Sequence, residues 1–187
     1  AIAHSWESRL PYTKTEAQIV QTMFGGQIFV EDKANQNALH REPTQILHIA
    51  AHGSHRLDQP DLSFLQLADG QLYGDDVMQQ DLSYELVTLS ACETGRVNVI
   101  AASDELIGIG RSFLYAGAGA LVVSLWRVAD ISTVNLMDQM YRFLQAGTSK
   151  AAALREAQIS ILAENKDLHP AYWGAFQLVG NADPLSR

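Results

Sequence analysis

Leu86-Val87-Thr88-Leu89-Ser90-Ala91-Cys92-Glu93-Thr94-Gly95 runs from an apolar segment into a glycine turn and holds the only cysteine of the chain. Around its apolar run Leu86–Leu89, residues 85–91 read as a central strand. Forty residues upstream, Ile46-Leu47-His48-Ile49-Ala50-Ala51 is a second such run, expected as a strand over 45–51, and it ends in His52-Gly53. A thiol and an imidazole therefore each stand where a strand meets a turn. If the two strands lie side by side and parallel, the two groups meet at one sheet edge. That is the layout of a cysteine nucleophile and its base.

Outward from these runs, helices and strands alternate. Residues 13–24 read as a helix capped by Thr13 or Thr15 and stopped by Gly25-Gly26, and Gln27–Val30 as a short strand. A short helix is expected over 34–40. Residues 57–84 read as irregular, with hairpin strands at 62–67 and 70–73. A helix over 103–116, capped by Asp104, precedes a third buried strand, Leu121–Leu125. Helices over 130–146 and 149–164, the second capped by Ser149, lead to a last strand, Trp173–Val179. This alternation predicts an α/β fold with a mostly parallel sheet covered by helices on both faces. In such sheets ligands bind outside the carboxyl ends of the strands, where His52, Cys92 and the segment after Leu125 all fall.

The bulk properties narrow the function class. At 187 residues the chain is one domain by length. Thirteen basic against 21 acidic residues give a net charge of −8, which disfavours nucleic acid and anionic membranes as partners. One cysteine excludes an internal disulfide and a Cys-rich zinc site. There is no apolar run of about 18 residues to span a membrane and no signal peptide at the start. A reducing cytoplasm is the expected setting. The start without Met reads as part of a longer or processed protein.

Each candidate has a plain structural reading. A lone thiol is most often a buried, inert side chain. A histidine near a strand end can serve only to bond a carbonyl. Gly53 favours chemistry, because a glycine after the base lets backbone approach a ligand. Its N–H, with that of Cys92, could form an oxyanion hole. No acidic residue stands out as a third member, so the reading is a dyad. His48, His52 and His55 do not read as a metal site: on a strand, His48 and His52 are roughly 13 Å apart, too far to share one zinc. The pairs Gly108/Gly110 and Gly117/Gly119 lie in the wrong order for a dinucleotide loop and read as packing and capping glycines. In Ser124-Leu125-Trp126-Arg127-Val128-Ala129-Asp130, Trp126 reads as a packing aromatic and Asp130 as a helix cap. An acid at this rim could also receive a basic substrate side chain.

Taken in order, several segments together resemble the CHAT domain, a bacterial branch of the caspase-like cysteine peptidases related to separase. They are His48-Ile-Ala-Ala-His52-Gly53, Leu89-Ser-Ala-Cys92-Glu-Thr-Gly95, Asp104–Phe113, Ala116–Ala120, Ser124-Leu-Trp126 and Tyr172–Phe176. The resemblance implies a caspase–hemoglobinase-like three-layer sandwich over residues 1–187. It implies Cys92 as nucleophile, His52 as general base and Gly53 as oxyanion donor, with no cofactor and no metal. Separase has an aspartate after a similar Leu-Trp-x-Val segment that helps to bind a basic P1 side chain. By that likeness Asp130, with Trp126, implies substrate binding and cleavage of a protein after Arg or Lys. The family also implies tetratricopeptide repeats or other sensor regions attached in the full-length protein. The rival expectation is an inactive caspase-like module that docks protein partners.

Overall fold

A computed structural model describes residues 1–40, 44–54, 62–92, 109–126, 128 and 130–186. In chain order the strands are β1 (Ile2–Ala3), β2 (Phe29–Val30), β3 (Ile46–Ser54), β4 (Phe64–Leu67), β5 (Gly70–Tyr73), β6 (Leu86–Cys92), β7 (Ala120–Ser124) and β8 (Phe176–Gly180). The helices are α1 (Thr13–Phe24), α2 (Gly74–Met78), α3 over 109–115, α4 (Asp130–Gln145) and α5 (Lys150–Glu164).

The sheet runs β2-β1-β3-β6-β7-β8. The first five of these strands are parallel to their neighbours, and β8 closes the edge antiparallel to β7. β3 is buried from Ile46 through Gly53, as a strand covered on both faces must be. Alternation sends its residues to two cores. Leu47, Ile49 and Ala51 join Val87, Leu89, Leu121 and Val123 in one core with Ile109 and Phe113 of α3. Ile46, Leu86, Ala120 and Val122 join Val20 of α1, Met137 and Met140 of α4 and Ala153 of α5 in the other. Helix, sheet and helix form the three layers expected from the sequence.

Local chemistry explains the element ends. The φ of 72° at Gly25 places it in left-handed backbone after α1, and its N–H reaches the Gln21 carbonyl at 2.8 Å. Ser149 caps α5 by accepting from the Ala152 N–H at 3.3 Å. Gly110 lets α3 approach β7, since a Cβ there would lie 3.1 Å from the Leu121 side chain. Gly117, at φ 112°, turns the chain where a Cβ would lie 3.1 Å from the Leu82 carbonyl oxygen. The packing and capping roles expected of Gly110 and Gly117 are thus the ones they fill.

Several expectations need adjustment. β3 extends to Ser54, because β4 pairs antiparallel with residues 52–54. β6 includes Cys92, because its pairing with β3 continues to the end. The segment 34–40 forms a 3-10 turn, Gln36–His40, preceded by another at Glu31–Lys33. The expected hairpin is present as β4 and β5, but the five-residue α2 follows it unanticipated. β8 starts three residues later than expected, since Pro170–Tyr172 forms a 3-10 turn. β1, a two-residue strand inserted between β2 and β3, had no sequence expectation. The capping role of Asp104 lies outside the described residues.

Candidate active site

β3 and β6 are parallel neighbours in a seven-residue register that begins at Ile46 with Leu86 and ends at His52 with Cys92. Adjacent strands are about 4.8 Å apart. The imidazole-bearing and thiol-bearing residues therefore stand beside each other at the carboxyl edge of the sheet, where open α/β sheets bind ligands. They are the last pair of two strands, not residues of the turns beyond them. His52 is 8% exposed. Gly53 follows within β3, opposite Leu65 of β4.

The next strand helps to fix this edge. The Ser124 hydroxyl donates to the Ala91 carbonyl at 3.1 Å, fully buried. The backbone register of β6 with β7 ends one pair earlier, at Leu89 with Val123. A side chain thus continues the link that the ladder drops, one residue before Cys92. Ser124 falls within the strand expected over Leu121–Leu125, but its spacing from Ala91 across the sheet is set only by the order of the strands.

The loop after β1 reaches the same edge. The Trp6 indole stacks on the His52 imidazole with ring centroids 3.8 Å apart and planes 7° from parallel. The Arg9 guanidinium carbon lies 4.5 Å from the Trp6 ring centroid. Trp6, Glu7 and Ser8 all have left-handed φ values, 48°, 56° and 64°. The turn is closed by bonds from the Arg9 N–H to the Trp6 carbonyl and from the Leu10 N–H to the Ser5 carbonyl. Sequence reading gave no sign of this contact, because three consecutive left-handed residues without a glycine follow no turn signature.

Below the edge, on the α1/α4 side, lies a buried polar cluster. The Tyr141 hydroxyl donates to Thr88 Oγ1 at 2.8 Å, and the His48 Nδ1 lies 2.9 Å from the same hydroxyl. With Tyr141 donating to Thr88, Nδ1 is the donor to the phenolic oxygen. His48 Nε2 is 3.3 Å from Glu16 Oε2. Those two atoms nonetheless lack hydrogen-bond geometry, so the contact is proximity without a directed bond. Burial drives the Tyr141 pKa well up. The Thr88 bond opposes that shift, and the Glu16 charge adds to it. His48 is therefore tied into the core by α1 and α4, not presented to ligand. Among the described residues no group of three or more His, Cys, Asp or Glu is gathered to hold a metal. His55 lies outside them.

Trp126 is half-buried, donates from Nε1 to the Ala171 carbonyl at 2.9 Å and packs against the α4/α5 core. Asp130 is the first residue of α4, just past the carboxyl end of β7. It thus stands inside the first turn, one place beyond the capping position expected for it. Glu93–Gly95, Arg127 and Ala129 lie outside the described residues. Among the described residues no helix is long and apolar enough to cross a membrane.

Comparisons place this architecture. A family model described as the CHAT domain matches residues 3–181. Tetratricopeptide repeat protein 28 of Homo sapiens is 33% identical over 106 residues, and that of Mus musculus 32%; the match covers 57% of this chain. It covers about 4% of the length of those relatives. A crystal structure of the Arg-specific cysteine proteinase gingipain R superposes with a TM-score of 0.66 at 13% identity. That superposition covers all of this chain and 46% of the other. The shared caspase-like fold agrees with the expected three-layer sandwich.

Proposed function

The chain belongs to the CHAT domain family, and from that premise we propose that it is a cysteine endopeptidase module acting through Cys92 and His52. The observation that carries the reading is the register of His52 with Cys92 as the final pair of β3 and β6. In this reading His52 accepts the thiol proton and the Cys92 thiolate attacks the scissile carbonyl carbon. The backbone N–H groups of Gly53 and Cys92 receive the oxyanion. The tetrahedral intermediate collapses as His52 protonates the leaving amine. The acyl-enzyme that remains is hydrolysed by water activated by the same imidazole. The chemistry requires no metal or cofactor.

The substrate class is a protein or peptide with a basic residue before the cut. Asp130 supports this by its place at the start of α4 on the rim beyond β7. An acid there can pair with a guanidinium or ammonium group. Trp126, anchored through its indole N–H, would form a wall of the same subsite. Gingipain R, which shares the fold, is named as Arg-specific, and the same preference is proposed for this chain. A cytoplasmic setting and attached repeat regions complete the reading. The tetratricopeptide relatives also favour a second reading, a domain that docks partners without cutting them.

The decisive test is a peptide library exposed to the chain and to Cys92→Ala. Cleavage by the first and not by the second supports the peptidase. Equal inactivity of both, with any attached regions restored, leaves the docking module. Cleavage after acidic residues sinks the Asp130 subsite alone.

A further inference from the structure

Beyond the dyad itself, we infer that Trp6 is a positioning residue for His52, fixing the plane of the imidazole from which the proton of Cys92 is drawn; this rests on the peptidase reading above. A general base works only when its lone pair is aimed at the proton it takes. A contact on the face of the ring can restrict its plane whatever the second ring nitrogen bonds. Here the indole lies flat on the imidazole, 3.8 Å away and 7° from parallel. A ring held by its face can still slide, but it cannot tilt about its Cβ–Cγ bond without losing the stack.

Two further features favour a selected contact over incidental packing. Left-handed backbone costs roughly 1 kcal/mol or more at each non-glycine residue, and three such residues in a row present Trp6 to His52. Strain of this kind persists where surrounding structure enforces it, and it clusters at functional sites. In addition, the Arg9 guanidinium sits over the indole at 4.5 Å, within cation–π range. Arg9 is otherwise engaged only by an exposed ion pair with Glu7 at 3.4 Å among the described residues, a contact of small energetic weight. The order Arg9, Trp6, His52 thus connects the loop after β1 to the final residue pair of β3 and β6. The site would then be built from three strand ends, not two.

The test uses the cysteine as its own reporter, since alkylation of the chain can occur at only one thiol. Iodoacetamide rates near neutral pH are compared for the wild type, His52→Ala, Trp6→Phe and Trp6→Leu, with folding followed by circular dichroism. Trp6→Phe keeps a stacking face and should alkylate within about threefold of the wild type. Trp6→Leu keeps apolar cover but no ring, and should fall by about tenfold or more toward the His52→Ala rate, since small misplacements of a catalytic group are expensive. In the same samples the carbon-bound imidazole protons of His52 should show an upfield ring-current shift by NMR, lost in Trp6→Leu. A slow His52→Ala with Trp6→Leu at the wild-type rate would overturn the role of Trp6 and leave the dyad intact. A His52→Ala as fast as the wild type would sink the dyad reading and this role with it. Should Trp6→Leu fail to fold, absence of the ring-current shift in the wild type overturns the inference by itself.

Discussion

The Ser124 hydroxyl donates to the Ala91 carbonyl across 3.1 Å, joining β7 to β6 beyond the point where their backbones stop pairing. Ala91 directly precedes Cys92, so this bond bears on the backbone of the proposed nucleophile. Ser124→Ala removes a buried hydrogen bond worth about 1 kcal/mol. It should lower the melting temperature by about 2–4 °C in a chain of this size. Peptide cleavage measured well below the melting point should fall further than that loss of stability explains, by about tenfold, because the edge carrying Cys92 loosens. Unchanged cleavage in a mildly destabilised variant would show that the bond serves folding alone.

Tyr141 tests whether the buried cluster is structural. Its hydroxyl serves both His48 and Thr88, each fully buried. Tyr141→Phe leaves both without that partner, which costs about 1–3 kcal/mol. Glu16→Leu alone should cost less, about 1 kcal/mol, since the carboxylate faces His48 Nε2 at 3.3 Å without a directed bond. Glu16→Leu combined with His48→Leu should recover much of that loss, because an apolar pair can replace a buried polar one. Chemical denaturation of the wild type, Glu16→Leu, His48→Leu and the double variant gives the coupling directly. Cys92 alkylation should change little in the folded variants, since four strand residues put His48 roughly 13 Å from His52.

What the sequence made legible follows from periodicity and composition. The apolar runs at 46–51 and 86–89 read as parallel strands because nothing polar interrupts them, and their register brings His52 beside Cys92. The cap at Ser149 was readable for the same local reason. Contacts made through non-local geometry were not. β1 is two residues long, and Ile2 becomes a strand residue only by pairing with Ile49 and Phe29. α2 depends on a bond from the Tyr73 N–H to the Asp76 carboxylate at 3.0 Å, a start that lacks the usual Ser or Thr cap. Trp6 reaches His52 through a turn with no sequence signature, and Ser124 reaches Ala91 only once β6 and β7 are neighbours.

Acid should loosen the end of the chain through Glu85. Burial alone would raise its pKa. That effect is outweighed by bonds from the Ser186 hydroxyl at 2.5 Å and the Ser186 N–H at 2.8 Å, by Gln45, and by the charge of Lys150, so the net shift is downward from 4.5. A depressed folded pKa means that the contribution to stability is present above about pH 4.5 and is lost as the pH falls through the lowered folded value. Glu85→Gln should therefore unfold with a shallower acid dependence below that pH while matching the wild-type slope near neutrality. Identical slopes for both proteins below pH 4.5 would remove Glu85 from the acid response.

Asp130 offers the sharpest separation of binding from chemistry. It opens α4 on the rim beyond β7, and a carboxylate at a helix N-terminus is favoured there by the helix dipole. Asp130→Asn keeps the shape and hydrogen-bonding capacity of the side chain while removing its charge. A basic P1 side chain then loses a charge-assisted bond worth roughly 1.5–3 kcal/mol, which corresponds to about 10–150-fold in kcat/KM for Arg and Lys substrates. The iodoacetamide rate of Cys92 should stay within about twofold of the wild type, because the small reagent does not use that subsite. Equal losses in alkylation and in cleavage would place Asp130 in the scaffold of the edge and not in recognition of the substrate. A loss confined to Arg and Lys peptides, with apolar peptides cut at their former low rate, is the outcome expected of a residue that reads charge.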